Sequence, residues 1–517
     1  MATVVDAKQN ASVVTAHDVN IQVAIQLADL VKSTLGPYGM DKEMVDPAGV
    51  VVMTNDGATI LRETKLHHPT ARIITEVART QEENCFDGTT SSVVITGELM
   101  SKAKELLNLK IHPTRIAKGY TLANKKAQVL LEEIGVDITD DLLLSVGKTA
   151  MTGKSAETEQ DQLAQIALDV IKATPLENIN IVKRPNGKVK ESLAISGLLI
   201  DREKMDHNMP DSIKDAKIAL ISVDVTLPEF AQQLQIQVTD NNAVKEFIES
   251  RKAQLQEIAE TILATGANVI LCKRDIDPFV VEIFAEKGVY AARRVAMSDM
   301  EAVAKAGKGR MVSAIDGLKK SDLASVGLLE EIAVGEKPLI KLTDIATAGS
   351  VSVLLRAPTQ HSVDEIGRAF DDAIGVISVA MDHGKVLAGG GAPYLHLSKN
   401  LREYAATVSG REQMAVEAYA QALEVIPAAL AENSGLDPLD TLIRLRQLHA
   451  SAAGHSHGVD VENGGGVNML EQGVIEPLSV VSQALDSATD IASQLLRIDN
   501  IIEMQKGPEI GEDGYKY

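Results

Sequence analysis

Cys85 to Met100 reads CFDGTTSSVVITGELM, an aspartate and a glycine ahead of Thr89, Thr90, Ser91 and Ser92, and then an apolar run. Free N–H groups at a helix N-terminus, the positive end of the helix dipole and nearby hydroxyls together favour an anion such as phosphate. Asp87 opposes an anion unless a cation accompanies it. A hard ion such as Mg²⁺ reconciles the two, because it takes one carboxylate and keeps phosphate oxygens and water in its shell. The segment points to a magnesium nucleotide. Asp, Ser and Thr are also ordinary capping residues, so a helix start without a ligand fits the same letters.

Other candidates are weaker. GKTAMTGKS (147 to 155) pairs glycine with lysine twice, but a P-loop needs a glycine five residues earlier, where Leu142 and Lys148 stand. Lys154 can still meet a phosphate as a point charge, or lie solvated on the surface. AGGGAP (388 to 393) permits close backbone approach to a ligand and fits a loop equally well. Asp56 in TNDG reads as turn chemistry, and Asp371 and Asp372 read as a solvated helix face. His67, His68, His455 and His457 lack the spacing of a helical zinc site.

The elements that position these residues must be built almost without aromatics, which make up 3% of the 517 residues, with no tryptophan. Alanine, valine, isoleucine and leucine therefore fill the cores. The length suggests roughly three domains at about 150 residues each. A net charge of −21 argues against a nucleic-acid binder, which needs a basic face. Two cysteines are too few for a disulfide framework and fit a reducing compartment. The N-terminus has no leader-like pattern and no uncharged apolar run spans a bilayer, which predicts a cytoplasmic protein.

Periodicity predicts a helix over 18–35 stopped by Gly36-Pro37, a strand at 50–53, and a helix starting at Pro69. The first 140 or so residues read as mainly helical. The middle alternates: strand 218–223, a helix capped by Asp240 and closed by Gly266 with an apolar face of Val244, Phe247, Ile248, Leu255, Ile258 and Ile262, strand 268–272, a helix from Asp277-Pro278, and strand 289–295. Ser298 with Glu301 and Ser362 with Glu365 form capping-box patterns. The second opens a helix with an apolar face of Ile366, Ala369, Phe370, Ala373 and Ile377. An α/β region from about 210 to 354 thus lies between helical ends, with an acidic tail reading as disordered.

In this order the motifs resemble the group II chaperonins, the archaeal thermosome and eukaryotic cytosolic chaperonin family. The resemblance rests on STLGPYGMDK (33 to 42), VVMTNDGATIL (51 to 61), FDGTTSSVV (86 to 94), TGKSAE (152 to 157), ATGANVILC (264 to 272), AARRV (291 to 295), AFDDAIGV (369 to 376), AGGGAP (388 to 393), SGREQMAVEAYAQALEVIPAALAENSGLDPLDTL (409 to 442) and LLRID (495 to 499). It implies a multidomain α and α/β chaperonin fold. A helical equatorial domain would occupy 1–138 and 389–517, a small intermediate domain 139–209 and 355–388, and an α/β apical domain 210–354, with a helical protrusion at about 237–266. It implies two stacked rings of identical or paralogous subunits that fold unfolded client proteins while ATP hydrolysis drives a built-in lid, with no nucleic acid or membrane as partner.

By the same resemblance Asp87 would hold Mg²⁺ while Gly88, Thr89, Thr90 and Ser91 bind phosphate oxygens of ATP. Leu35, Gly36 and Pro37 would line the nucleotide pocket with Gly57, Gly390 would approach the nucleoside and Glu476 would meet the ribose. Asp56 and Asp372 would position the attacking water, and Lys154 would sense the γ-phosphate. Two departures stand out. Phe86 replaces the glycine usual before the metal-binding aspartate, and EIGEDGYKY stands in place of a glycine- and methionine-rich tail; Tyr38 for a frequent lysine is milder. Phe86 motivates an alternative, a ring-forming scaffold that binds unfolded protein with little ATPase activity. A monomeric phosphotransferase with the same metal site is disfavoured because no second-substrate motif appears.

Overall fold

Ile21, Ala24, Ala28 and Val31 recur at helical spacing and are all buried along α1 (Ala16–Lys32). In this computed structural model, residues 16–45, 49, 51–64, 68–153, 159–227, 241–334, 337–345 and 350–500 are described. Lys154, Asp240 and the C-terminal tail lie outside the described residues. The chain forms two units, Met1–Glu157 with Gly375–Tyr517, and Thr158–Ile374.

The first unit is mainly helical. After α1 come the antiparallel pair β1 (Lys42–Val45) and β2 (Val51–Thr54), then α2 (Gly57–Glu63), α3 (Pro69–Cys85), α4 (Thr89–Asn108), α5 (Pro113–Ile134), β3 (Val136–Asp137) and α6 (Asp140–Met151). Pro69 starts α3 where its missing N–H is no loss, behind a His68 ring that accepts the Thr70 N–H. Lys148 and Thr149 fall inside α6.

The second unit opens with α7 (Gln160–Ala173), β4 (Ile179–Arg184), β5 (Leu193–Ser196), β6 (Leu198–Ile200) and β7 (Ser212–Ile221). It continues through α8 (Asn241–Ala264), β8 (Val269–Cys272), α9 (Pro278–Glu286), β9 (Tyr290–Ala292), α10 (Met297–Gly307), β10 (Met311–Val312), β11 (Ala324–Val334), β12 (Lys337–Ile345) and β13 (Val351–Arg356). Its seven-stranded sheet runs β6-β12-β11-β7-β8-β9 with β10 beside β7, parallel from β7 to β9 and antiparallel beyond. Both faces are covered: Ile218, Leu220, Val269 and Leu271 join one core, while Ala219, Ile221, Ile270 and Cys272 join the other. This explains the unbroken apolar runs in the sequence. Strands β4, β13 and β5 make a separate small sheet.

Helix α11 (Gln360–His383) crosses from the second unit into the first, where β14 (Lys385–Ala388), α12 (Ala392–Ala405), α13 (Glu412–Ala422), α14 (Val425–Asn433) and α15 (Pro438–His449) follow. The unit closes with β15 (His457–Val459), β16 (Gly466–Asn468), α16 (Met469–Gln472), β17 (Ile475–Pro477) and α17 (Leu478–Leu495). Strands β3, β14 and β17 share a sheet in which Leu387 faces Glu476. The segment Glu412–Asn433 is long and apolar enough for a membrane span, yet its apolar window is 72% buried, as in a core helix of a soluble protein.

Several local signals lose to tertiary structure. Ser298 lies inside α10 behind an Ala296 cap, and α11 starts at Gln360, where the Thr359 hydroxyl takes the Ser362 N–H, so neither capping box sits where the pattern put it. Strand β9 ends at Ala292 because Arg294 adopts a φ of 54°. On α8, Leu255 and Ile262 are buried but Ile248 is 48% exposed, so the face Ile248 shares with them is covered only toward its C-terminal end. By contrast Asp277 caps α9 by accepting the Phe279 N–H at 3.0 Å, and the whole expected face of α11 is buried.

The alanine-rich core depends on close helix approach. A Cβ on Gly97 of α4 would fall 2.2 Å from the Ala28 Cβ of α1 and 3.1 Å from the Ala24 carbonyl oxygen. Gly97→Ala is expected to cost about 1–3 kcal/mol of stability through overpacking. Ala28→Gly in the same chain should recover part of it, as measured by denaturant unfolding.

Candidate functional site

The site is built on the bend between α3 and α4. Phe86 caps α3 with φ 58°, and Gly88 caps α4 with φ 78°, so left-handed residues bracket Asp87. The Asp87 carboxylate accepts the Gly88 N–H at 2.6 Å, and its carbonyl accepts the Gln81 side-chain amide at 2.9 Å. That amide also reaches the Val480 carbonyl of α17, at 3.1 Å. The first hydrogen bond inside α4 runs from the Ser92 N–H to the Gly88 carbonyl, leaving the N–H groups of Thr89, Thr90 and Ser91 beyond the helix's own ladder. A Cβ at Gly88 would meet Val480 and Gln81 within 3 Å, so glycine keeps this end open.

Asp56 is brought beside it. It caps α2, its carboxylate taking the Thr59 N–H at 2.8 Å and the Ala58 N–H at 3.3 Å, and it accepts the Thr89 hydroxyl at 3.3 Å. A Cβ on Gly57 would lie 2.7 Å from the Thr90 hydroxyl oxygen. Asn55 donates to the Gly153 carbonyl at 3.2 Å, and Gly153 in turn lies against Gly36 and Pro37. Asn433 holds the Leu35 carbonyl at 2.8 Å. Asp56, Asp87, the hydroxyl run and Leu35 to Pro37 therefore form one continuous neighbourhood.

Glu476 and Tyr394 complete its electrostatics. Loss of water and then the nearby Asp87 charge push the Glu476 carboxyl up to about 8, so it is largely protonated at neutral pH. Burial likewise raises the Tyr394 phenol, which bonds the Ser91 side chain. Gly390 sits one strand away, its carbonyl accepting the Val459 N–H at 2.9 Å, and Gly389 is tied to Val474 at 2.8 Å. Asp372 belongs to the second unit, half-buried on α11.

Among the described residues no three His, Cys, Asp or Glu side chains gather as metal ligands. A cation at Asp87 would draw the rest of its shell from phosphate and water, the habit of Mg²⁺. One carboxylate, three hydroxyls and a glycine-opened helix N-terminus fit a magnesium nucleotide. A cleft of about 530 Å³ elsewhere in this unit is lined by Glu98, Lys102, Arg402, Glu417, Glu424 and Arg446, three acids facing three cations.

Residues 27–506 match the model of the TCP-1/cpn60 chaperonin family. The chain belongs to this family. A thermosome subunit of Methanocaldococcus jannaschii is 44% identical over 512 residues, covering 96% of this chain and 94% of that one. A thermosome subunit of Methanopyrus kandleri is 43% identical, with 94% and 92% covered. An open-state monomer of a group II chaperonin from Methanococcoides burtonii superposes with a TM-score of 0.65 at 36% identity, over 80% of this chain and all of that one. The fold is accordingly that of a group II chaperonin, and the protein is a chaperonin subunit.

Two residues of this chaperonin site escaped the sequence reading. Gln81 lies in the buried stripe of Ile74, Val77, Ala78 and Cys85, and a polar residue inside an apolar stripe was the available signal. Tyr394 gave none, because its relation to Ser91 and Glu476 exists only in the folded chain. Phe86 takes the left-handed backbone in which glycine is at ease, so the bend forms despite the substitution.

A histidine group supports the Gly390 side. His396 and His455 stack edge to face at 6.1 Å, and His449 donates from Nε2 to the His457 carbonyl at 2.7 Å. Burial, then the neighbouring His449, His455 and Lys399, lowers His396 to about 4; burial lowers His449 too. The unfolded chain, with histidines near 6.5, takes up protons first as pH falls, so this stabilisation is complete above 6.5 and is lost as pH falls toward 4. Thermal unfolding between pH 7.5 and 4.5 should show His396→Gln losing less stability than the wild type; parallel curves would remove His396 from the effect.

Proposed function

We propose that this subunit is an ATP-dependent chaperonin, hydrolysing ATP at the α3–α4 bend within a double ring that folds unfolded proteins. The observation that carries the reading is the meeting of Asp87, Asp56 and the open start of α4 in one pocket. The names of its relatives as thermosome subunits support the chaperone role. The rings, of identical or paralogous subunits, and a cytoplasmic location belong to the same proposal, as does the helical protrusion, of which α8 is the described part.

In this reading the Thr89, Thr90 and Ser91 N–H and hydroxyl groups take phosphate oxygens, and Asp87 holds the Mg²⁺ that neutralises them. Leu35, Gly36, Pro37 and Gly57 shape the pocket wall, and Gly390 lies against the nucleoside. Glu476, largely neutral, offers a proton to a ribose oxygen. Asp56 orients the attacking water from a fixed cap, and Asp372 assists from α11. Lys154 meets the γ-phosphate as a point charge. Positioning and charge neutralisation are what phosphoryl transfer chiefly needs. A carboxylate carried by the second unit ties hydrolysis to movement of that unit.

Phosphate release by size-checked assemblies with Mg²⁺ and ATP tests this. Asp372→Ala should slow turnover by about 10²-fold or more while shifting nucleotide affinity less than about threefold. Asp87→Ala should weaken Mg²⁺-dependent binding as well. Equal losses of binding and turnover in both variants would contradict the separate roles. Negligible turnover in an intact wild-type ring would favour the passive scaffold, and a particle near 55.2 kDa under the same conditions would exclude the ring.

A further inference from the structure

We propose that Phe86 is a positioning residue whose ring, seated on Gly375, clasps the Asp87 bend to the root of α11. The inference rests on the reading of Asp87 and Asp372 given above. A Cβ on Gly375 would fall 2.1, 2.4 and 2.6 Å from Cγ, Cδ1 and Cδ2 of Phe86, so the ring occupies the space a side chain there would need. Each partner accepts a locally unfavourable state to make this contact. Phe86 holds φ 58°, a region bulky residues rarely enter and keep only when their surroundings fix it. Gly375 sits buried in the interior of a 24-residue helix, where glycine is a poor helix former.

The rest of the bend is fixed from other directions. The Phe86 N–H closes α3 on the Glu82 carbonyl at 3.0 Å, and Gln81 ties the Asp87 carbonyl to α17. Phe86 adds α11. Gly375 is the first residue of α11 that belongs to the first unit, and Asp372 lies one turn before it on the same helix. The clasp thus joins the residue next to the proposed metal-holding carboxylate to the point from which the Asp372 arm departs. In the reading above the nucleotide is held by residues 87–91, Leu35 to Pro37, Gly57, Gly390 and Glu476, and the ring adds none of these contacts. Loss of the clasp should therefore reach turnover more than binding.

The test is a cycle of Phe86→Gly, Gly375→Ala and the double variant in the full-length assembly, with Phe86→Leu as the conservative change. Glycine suits the backbone at 86, so Phe86→Gly should fold. The expected result is a fall in kcat for phosphate release of about five- to tenfold, with the Kd for Mg²⁺-ADP moved less than about threefold. Gly375→Ala should lower kcat similarly by displacing the ring, and should cause no further loss once the ring is gone. Phe86→Leu should keep most of the rate. Unchanged kcat in Phe86→Gly, or an equal penalty for Gly375→Ala in both backgrounds, overturns the proposal. The same cycle read in unfolding midpoints reports the contact whether or not ATP is turned over. Non-additive midpoints with no wild-type turnover would sink the ATPase reading and leave the contact purely structural; additive midpoints with normal turnover would sink the clasp alone.

Discussion

Phe86, Asp87 and Gly88 turn the chain from the end of α3 into the start of α4, and two of the three hold positive φ. Asp56, Thr89 and the open start of α4 are arranged around that bend. The turn aims the first N–H groups of α4 away from its own ladder, and it places a carboxylate at the positive end of the helix. A single buried amide, Gln81, fixes the Asp87 carbonyl and the start of α17 together, so the helix that follows Glu476 is tied to the helix that follows Asp87. The Asp56 cap is joined to the start of α4 by the Thr89 hydroxyl, and the Leu35 to Pro37 segment lies against Gly153, whose carbonyl accepts from Asn55.

Such a bend needs a rigid platform, and the sequence has few large side chains with which to build one. Small residues substitute for bulk. Alanine and glycine along α1, α4, α5 and α13 let helices approach closely enough that Ala28 faces Gly97 and Ala415 faces Gly119 with no room for another methyl. Close-packed backbones forfeit less dispersion energy to voids than loosely fitted aromatics would. Tyr120 and Tyr419, fully buried and edge to face, are exceptions whose hydroxyls find the Leu99 carbonyl and Thr489.

Legibility followed locality. The Asp87 to Ser92 run could be read because its hydrogen bonds close within a few residues, and Asp277 before Pro278 could be read for the same reason. The Ser298 and Ser362 patterns obeyed a local rule too, but α10 starts at Met297 and α11 at Gln360, so neither serine caps its helix. Tyr394, the Gly375 partner of Phe86 and the Asn433 clasp on Leu35 join distant segments, and no window of sequence contains both halves. The family resemblance supplied the proposed roles of Gly390 and Glu476, which the letters around them did not.

A chain of net charge −21 must still receive a polyanion. Placing Asp87 near Glu476 aggravates this, since two like charges in a poorly hydrated pocket repel each other and any phosphate. The protonation of Glu476 eases it. Burial and then the nearby Asp87 charge lift the Glu476 carboxyl to about 8, so it is largely protonated at neutral pH. One carboxyl fewer is then charged beside the proposed metal-holding residue at neutral pH. In the proposed reading, nucleotide affinity should therefore depend on the protonation of Glu476 as well as on the metal.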